Sequence, residues 1–220
     1  MAIVAGNATP DNEAALTIVS VQAALAARGT HLATAALAGA REFVEWGHYP
    51  RSDCVDHKHR TEFYYHAHEA TRRLPGEHGH FHVFARHTDG RFCHLVGISL
   101  DNLGHATRLF TTNRWVTGEA WAPTKDMTPR LDAFIMHSSG RLAPVARWID
   151  AMVRFYRPRI VELMHERDTW LAAAKPSQRE ARLNDRSVHI VNQTPIDVLT
   201  DVAGWVSPIA EQPQTKRRTT

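Results

Sequence analysis

Cysteine is scarce: among 220 residues only Cys54 and Cys93 occur, and there is no Cys-x-x-Cys pair. That argues against a disulfide scaffold or a thiolate zinc site and leaves each cysteine as a single ligand at most. Long apolar runs are also missing. No stretch reaches the roughly 18 to 20 residues of a membrane span, and the opening MAIVAGNATPDNEAALTIV has neither a basic start nor an extended apolar segment. The expectation is a cytoplasmic protein with reduced thiols and no membrane partner. Glycine patterns of phosphate or dinucleotide binding are absent, as is a G-x-S-x-G elbow; Ser138-Ser139-Gly140 reads as a helix end. No block of one charge sign is found. The net charge is +3, and arginines are scattered along the chain, which permits nucleic acid as a partner without favouring it.

Histidine is what the chain has in excess. Fifteen occur, ten of them between residues 46 and 94. In Glu77-His78-Gly79-His80-Phe81-His82-Val83-Phe84 three histidines alternate with other residues and run into Val83 and Phe84, the signature of a pleated strand. A period of two sends His78, His80 and His82 to one face and Phe81 and Val83 to the other. Phe63-Tyr64-Tyr65-His66-Ala67-His68 alternates likewise, so Tyr64, His66 and His68 share a face. Pro75-Gly76 lies between the two runs, and together they predict an antiparallel hairpin on which up to five imidazoles converge.

Around this hairpin the chain reads in order as follows. Residues 11–46 predict two Ala-rich helices. Asp11 caps the first and Gly29 ends it; Thr30 caps the second, LATAALAGAREFVEW, which stops at Gly47. Strands follow at 91–100, entered through Asp89-Gly90, and at 107–116. Alternation places Phe92, His94, Val96 and Ile98 on one face, making His94 a further member of the cluster. Helices then start at Thr128-Pro129 and at Pro144, where Val145, Trp148, Ile149, Met152 and Tyr156 form an apolar stripe. A third runs from Pro158 to Lys175-Pro176, and Val188 to Val191 reads as a last short strand. The fold expected is α+β: an antiparallel sheet of four or five strands, with N-terminal and C-terminal helices on one face and a histidine-lined pocket on the other. Residues 1–210 form one domain, and 211–220 form a disordered polar tail.

Imidazole is the commonest metal ligand, and same-face neighbours on paired strands are close enough to close around one ion. Five such rings with no ion or acid among them would repel as soon as they took up protons. His66, His68, His78, His80 and His82 are therefore the metal-ligand candidates, for a divalent transition metal: Fe, Zn, Cu, Mn or Ni. Glu77 and Asp53 are the candidate catalytic carboxylates, Glu77 only if the strand begins with a turn or bulge that corrects its parity. His57 and His59, between Asp56, Lys58 and Arg60, read as a solvated loop. The function expected is a metal-binding protein acting enzymatically on a small molecule, with a non-catalytic metal-binding module as the alternative.

Three resemblances bear on this. His48-Tyr49-Pro50, Tyr65-His66-Ala67-His68 and Glu77-His78-Gly79-His80-Phe81-His82 together resemble an uncharacterised family of bacterial domains of unknown function, over most of the chain; this implies no activity. The run His78 to Phe84 is similar to the motif of histidine-triad nucleotide hydrolases, which implies His80 as a nucleophile toward phosphate. Here, however, Gly79 replaces a hydrophobic residue, and the motif lies far from the C-terminus. His80-Phe81-His82 also resembles the His-hydrophobic-His motif of rolling-circle nucleases and single-tyrosine transposases. That resemblance implies Tyr156 as the nucleophile, with arginines beside it for phosphate, whereas the apolar stripe makes Tyr156 a core residue.

Overall fold

The computed structural model describes residues 12–69, 71 and 73–205; the expected cap Asp11 and the tail 211–220 lie outside them. Six strands form one antiparallel sheet in sequence order: β1 (Tyr49–Asp56), β2 (Thr61–His66), β3 (Gly79–Arg86), β4 (Phe92–Leu100), β5 (Ala106–Thr112) and β6 (Ile190–Pro195). The expected four or five strands are thus corrected to six. The addition is β1, which carries Pro50, Arg51, Ser52 and Asp53 and shows no clean alternation. An edge strand tolerates proline and polar side chains because one of its sides donates to no neighbour.

Helices cover one face. α1 (Asn12–Ala26) packs against α5 (Ala143–Phe155), while α6 (Arg157–Ala172) lies across β4, β5 and β6. The core between them and the sheet contains Phe63, Tyr65, Phe81, Val83, Val96, Ile98 and Trp148. Trp148 of α5 reaches the ring of Phe81 at 5.8 Å, so the odd-numbered residues of β2 and β3 are the buried apolar set. No helix among the described residues is long and apolar enough to cross a membrane.

The second N-terminal helix is much shorter than its alanine content predicts. It spans only Leu32–Ala36 (α2), because Ala38 (φ 54°) and Gly39 (φ 87°) leave the helical region; a Cβ on Gly39 would fall on the Arg141 guanidinium. The following segment is tied down by tertiary contacts. Tyr49 Oη accepts the amide of Val44 (2.6 Å) and donates to the Glu42 carbonyl (3.0 Å), and the Trp46 amide donates to the Ala67 carbonyl (2.8 Å). Packing overrides propensity there. The helix expected from Thr128 begins earlier, as α4 (Thr124–Asp132), with Pro129 inside it. Short helices α3 (Arg114–Thr117), α7 (Arg179–Leu183) and α8 (Val198–Ala203) are the remaining α-helices among the described residues.

Candidate metal centre

β2 and β3 pair in the register His66 opposite His80 and Tyr64 opposite His82. Period two then puts Tyr64, His66, His80, His82 and Phe84 on the sheet face that the helices leave open. The expected β-hairpin is present, and β2 is a strand to His66. One ligand nitrogen from each of His66, His80 and His82 lies within 4.8 Å of the other two, and all three residues are buried. His66 Nε2 and His80 Nε2 are 2.7 Å apart. Imidazoles bound tetrahedrally at 2.0–2.1 Å would place their nitrogens about 3.3 Å apart, so an ion would need to part this pair by only about 0.6 Å.

The tautomers are set from behind. His80 Nδ1 donates to Glu77 Oε1 (2.7 Å), which leaves the lone pair of a neutral ring on Nε2, the atom facing His66. Glu77 lies in the turn before β3, with its amide donating to the Leu74 carbonyl, so its parity in the strand is no obstacle. Its other oxygen accepts from Ser99 Oγ (2.7 Å), and Arg108 Nη1 stands 3.9 Å away. Burial alone would raise the Glu77 carboxyl. The hydrogen bonds and charges of His80, Ser99 and Arg108 outweigh that and hold it below the usual carboxylate range. A carboxylate behind a histidine is the arrangement that orients metal-bound imidazoles.

His82 is backed by His94, whose Nε2 lies 3.0 Å from His82 Nδ1, leaving Nε2 of His82 as the ring nitrogen available to an ion. The His94 amide in turn donates to the carboxyl of buried Glu119 (2.7 Å). Burial, reinforced by neighbouring rings, lowers His66 to about 2 and takes His82 well below its ordinary value; burial and Arg167 lower His94 to about 3. These rings are neutral at ordinary pH, the form a metal requires.

The other candidates stand at different distances from this centre. The His68 ring lies just beyond the end of β2, 5.1 Å from His80, 5.0 Å from His66 and stacked on Trp46 at 4.5 Å. It is beside the trio but outside its ligand group. The expected sharing of a face by His78, His80 and His82 is corrected: His78 precedes β3, its Nδ1 meets Tyr65 Oη at 2.7 Å, and its ring packs on Phe43. The alternation starts only at Gly79, where a Cβ would fall 2.6 Å from the His66 carbonyl oxygen. Asp53 does not reach the trio; it holds His48 Nδ1 at 2.9 Å, and His48 stacks on Tyr64 at 3.8 Å. Neither cysteine joins them. Cys54 faces Ser138 and Cys93 donates to the Ala120 carbonyl.

Sequence reasoning missed Ser99 and Arg108 and misplaced part of β4. Val83 pairs with Val96 but Phe84 pairs with His94, so a bulge at Leu95 reverses the parity. His94, Gly97 and Ser99 consequently face the trio, whereas Val96 and Ile98 enter the core, a correction to the single face expected for Phe92, His94, Val96 and Ile98. Gly97 was the available signal: a Cβ there would sit 2.2 Å from the Phe110 ring, which lies over it.

A pocket of about 740 Å³ adjoins the trio. His80, His82, Glu77 and His68 line it together with Trp46, Leu74, Phe110, Thr112, Val116 and the 187–190 segment. Tyr156, by contrast, is 3% exposed in the helical core, and its hydroxyl donates to Asp201 (2.8 Å). It belongs to the opposite side of the sheet from His80 and His82.

No curated protein and no solved structure matches this chain. Residues 12–196, a span holding all six strands and every residue of the histidine centre, match the family described as a domain of unknown function (DUF6969), and the chain belongs to that family.

Proposed function

We propose that the protein is a metalloprotein in which His66, His80 and His82 hold one divalent transition metal at the floor of the pocket, and that it acts as an enzyme on a small molecule. The observation that carries this reading is the convergence of three buried imidazoles, one of them backed by the Glu77 carboxylate, beside an open cavity. Neutral buried rings gain little from packing against one another, and an ion satisfies their nitrogens together. Three imidazoles suit Zn, Fe, Cu or Ni best; Mn is favoured less.

Three protein ligands leave coordination positions for water and substrate, which separates a catalytic site from a closed structural one. A bound ion of this kind supplies Lewis acidity and an acidified water. Around it, Glu77 keeps His80 oriented and His94 keeps His82 oriented, while Trp46, Leu74, Phe110 and Val116 offer apolar contact to a substrate. His68, at the edge of the trio and in the pocket wall, is the side chain placed to exchange a proton with a bound molecule.

Two alternatives are weaker. The single-tyrosine nuclease reading needs Tyr156 at near-attack distance from the ion, and Tyr156 is in the opposite layer. A histidine-triad hydrolase would use His80 Nε2 as the nucleophile, the same atom that faces His66 at 2.7 Å. Titration with each of the five metals, read by equilibrium dialysis and elemental analysis, tests the proposal. The expected result is tight binding of at least one metal that is lost in His80→Ala. Equal binding by wild type and variant would refute it.

A further inference from the structure

A second cluster lies at the far end of the β1–β2 hairpin. Asp56, the last residue of β1, pairs with Thr61 and so faces the helical side of the sheet, away from the pocket. Its side chain is 7% exposed and accepts three N–H groups: the His59 amide at Oδ1 (3.1 Å), His59 Nδ1 at Oδ2 (2.7 Å) and the His137 amide at Oδ2 (3.0 Å). Burial acts to raise its carboxyl, but these bonds prevail and keep it below the ordinary value. The His137 ring nitrogen Nδ1 stands 4.0 Å from the same Oδ2, too far for a hydrogen bond, and the two histidine rings meet edge to face at 5.0 Å.

The loop that brings His137 here is pinned on three sides. Thr61 Oγ1 donates to the Ile135 carbonyl (2.6 Å), the Met136 amide donates to Asp150 (2.9 Å), and Cys54 Sγ contacts Ser138 Oγ at 3.3 Å. The three polar groups therefore meet on a fixed frame, and one ligand atom from each lies within 4.8 Å of the others.

We infer that Asp56, His59 and His137 form a second site for a transition-metal dication, independent of the pocket trio. Two imidazoles and one carboxylate on one side of an ion form a facial set, with the outward side left to water because the His137 side chain is 70% exposed. The backbone amides of His59 and His137 orient the carboxylate as outer-shell donors do in metal sites. An ion takes the place of the Nδ1 proton of His59, which moves to Nε2. With ligand atoms about 3.3 Å apart around it, the ion widens the contact of 2.7 Å and closes the gap of 4.0 Å by similar amounts. The site opens to solvent on its outward side, and an ion held there ties the β1–β2 turn to the loop before α5.

Zinc is the probe. Equilibrium dialysis of the full chain against Zn²⁺, with elemental analysis, is expected to show that His137→Ala binds one equivalent less than wild type. The double variant His66→Ala/His80→Ala is expected to keep an equivalent that the triple variant with His137→Ala loses, so this result does not depend on the pocket centre. His137 is exposed and its backbone amide survives the substitution, so the single variant alone decides if the double variant does not fold. Zinc stoichiometry and affinity of His137→Ala equal to those of wild type overturn the inference.

Discussion

The two faces of β2 and β3 come from the same few residues yet are built by different physics. Toward the helices, Phe63, Tyr65, Phe81 and Val83 pack under Trp148, where each buried side chain adds transfer free energy and dispersion. Toward the pocket, His66, His80 and His82 are also buried but carry polar nitrogens that must each find a partner. The first face explains why the protein folds; the second is arranged at some cost to folding, which the proposed ion would offset. Variants on the helical face should therefore change stability and spare metal binding, and variants on the pocket face should do the reverse.

The largest effect is expected on the helical face. Phe81→Ala should lower unfolding free energy by about 3–5 kcal/mol, the range for truncating a buried aromatic, measured by urea denaturation. Metal bound per folded molecule should stay as in wild type; a matching loss of metal would show that the faces are not separable. Glu77→Gln comes next. Its amide still fills the space but no longer presents a charged acceptor to His80, so metal affinity should fall about 10- to 100-fold in dialysis. Unchanged affinity would remove Glu77 from the account.

Gly97→Ala is the exception on the pocket face, where stability should also change, because its new Cβ must displace the Phe110 ring. A destabilisation of about 1–3 kcal/mol, typical of overpacking, is expected by thermal denaturation. An unaltered melting temperature would mean that Phe110 does not seal the sheet there.

The buried rings of the pocket face give the metal-free protein a pH dependence of definite sign. His66 is held near 2 and His94 near 3 when folded, against about 6.5 in the unfolded chain. Above about pH 6.5 neither form is protonated and these rings contribute no pH dependence. As the pH falls below it, the unfolded chain takes up protons that the folded rings refuse, so stability is lost toward acid. Urea midpoints at about pH 7.5 and about pH 5 should separate clearly in wild type and less in His94→Asn. The smallest effect expected is that of His57→Ala, an exposed turn residue, at within about 0.5 kcal/mol of wild type.

Much of the pocket face was legible because strand alternation is a strong, local signal. His66, His80 and His82 share a face as their spacing requires, and Pro75-Gly76 lies in the connection between them. What failed were features that depend on partners distant in sequence. The bulge at Leu95 reverses parity midway along β4, so Ser99 joined Glu77 behind His80 while Val96 and Ile98 went to the core. His78 fits the alternation by number but lies before the first residue of β3, and Tyr65 holds its ring elsewhere. β1 hid behind an irregular polar stretch that only pairing with β2 makes a strand. The missing length of α2 was set by Arg141 and by the placement of Trp46 at the pocket, neither of which alanine propensity can report.

The central claim is that the pocket face is organised around an ion, and the most direct test is the metal content of the full chain with and without its trio. After loading with each candidate metal and exhaustive dialysis, wild type should retain one more equivalent of at least one metal than the His66→Ala/His80→Ala/His82→Ala variant, and that metal should raise the melting temperature of wild type alone. Equal metal content in the two proteins, with no thermal shift from any of the five metals, would contradict the account.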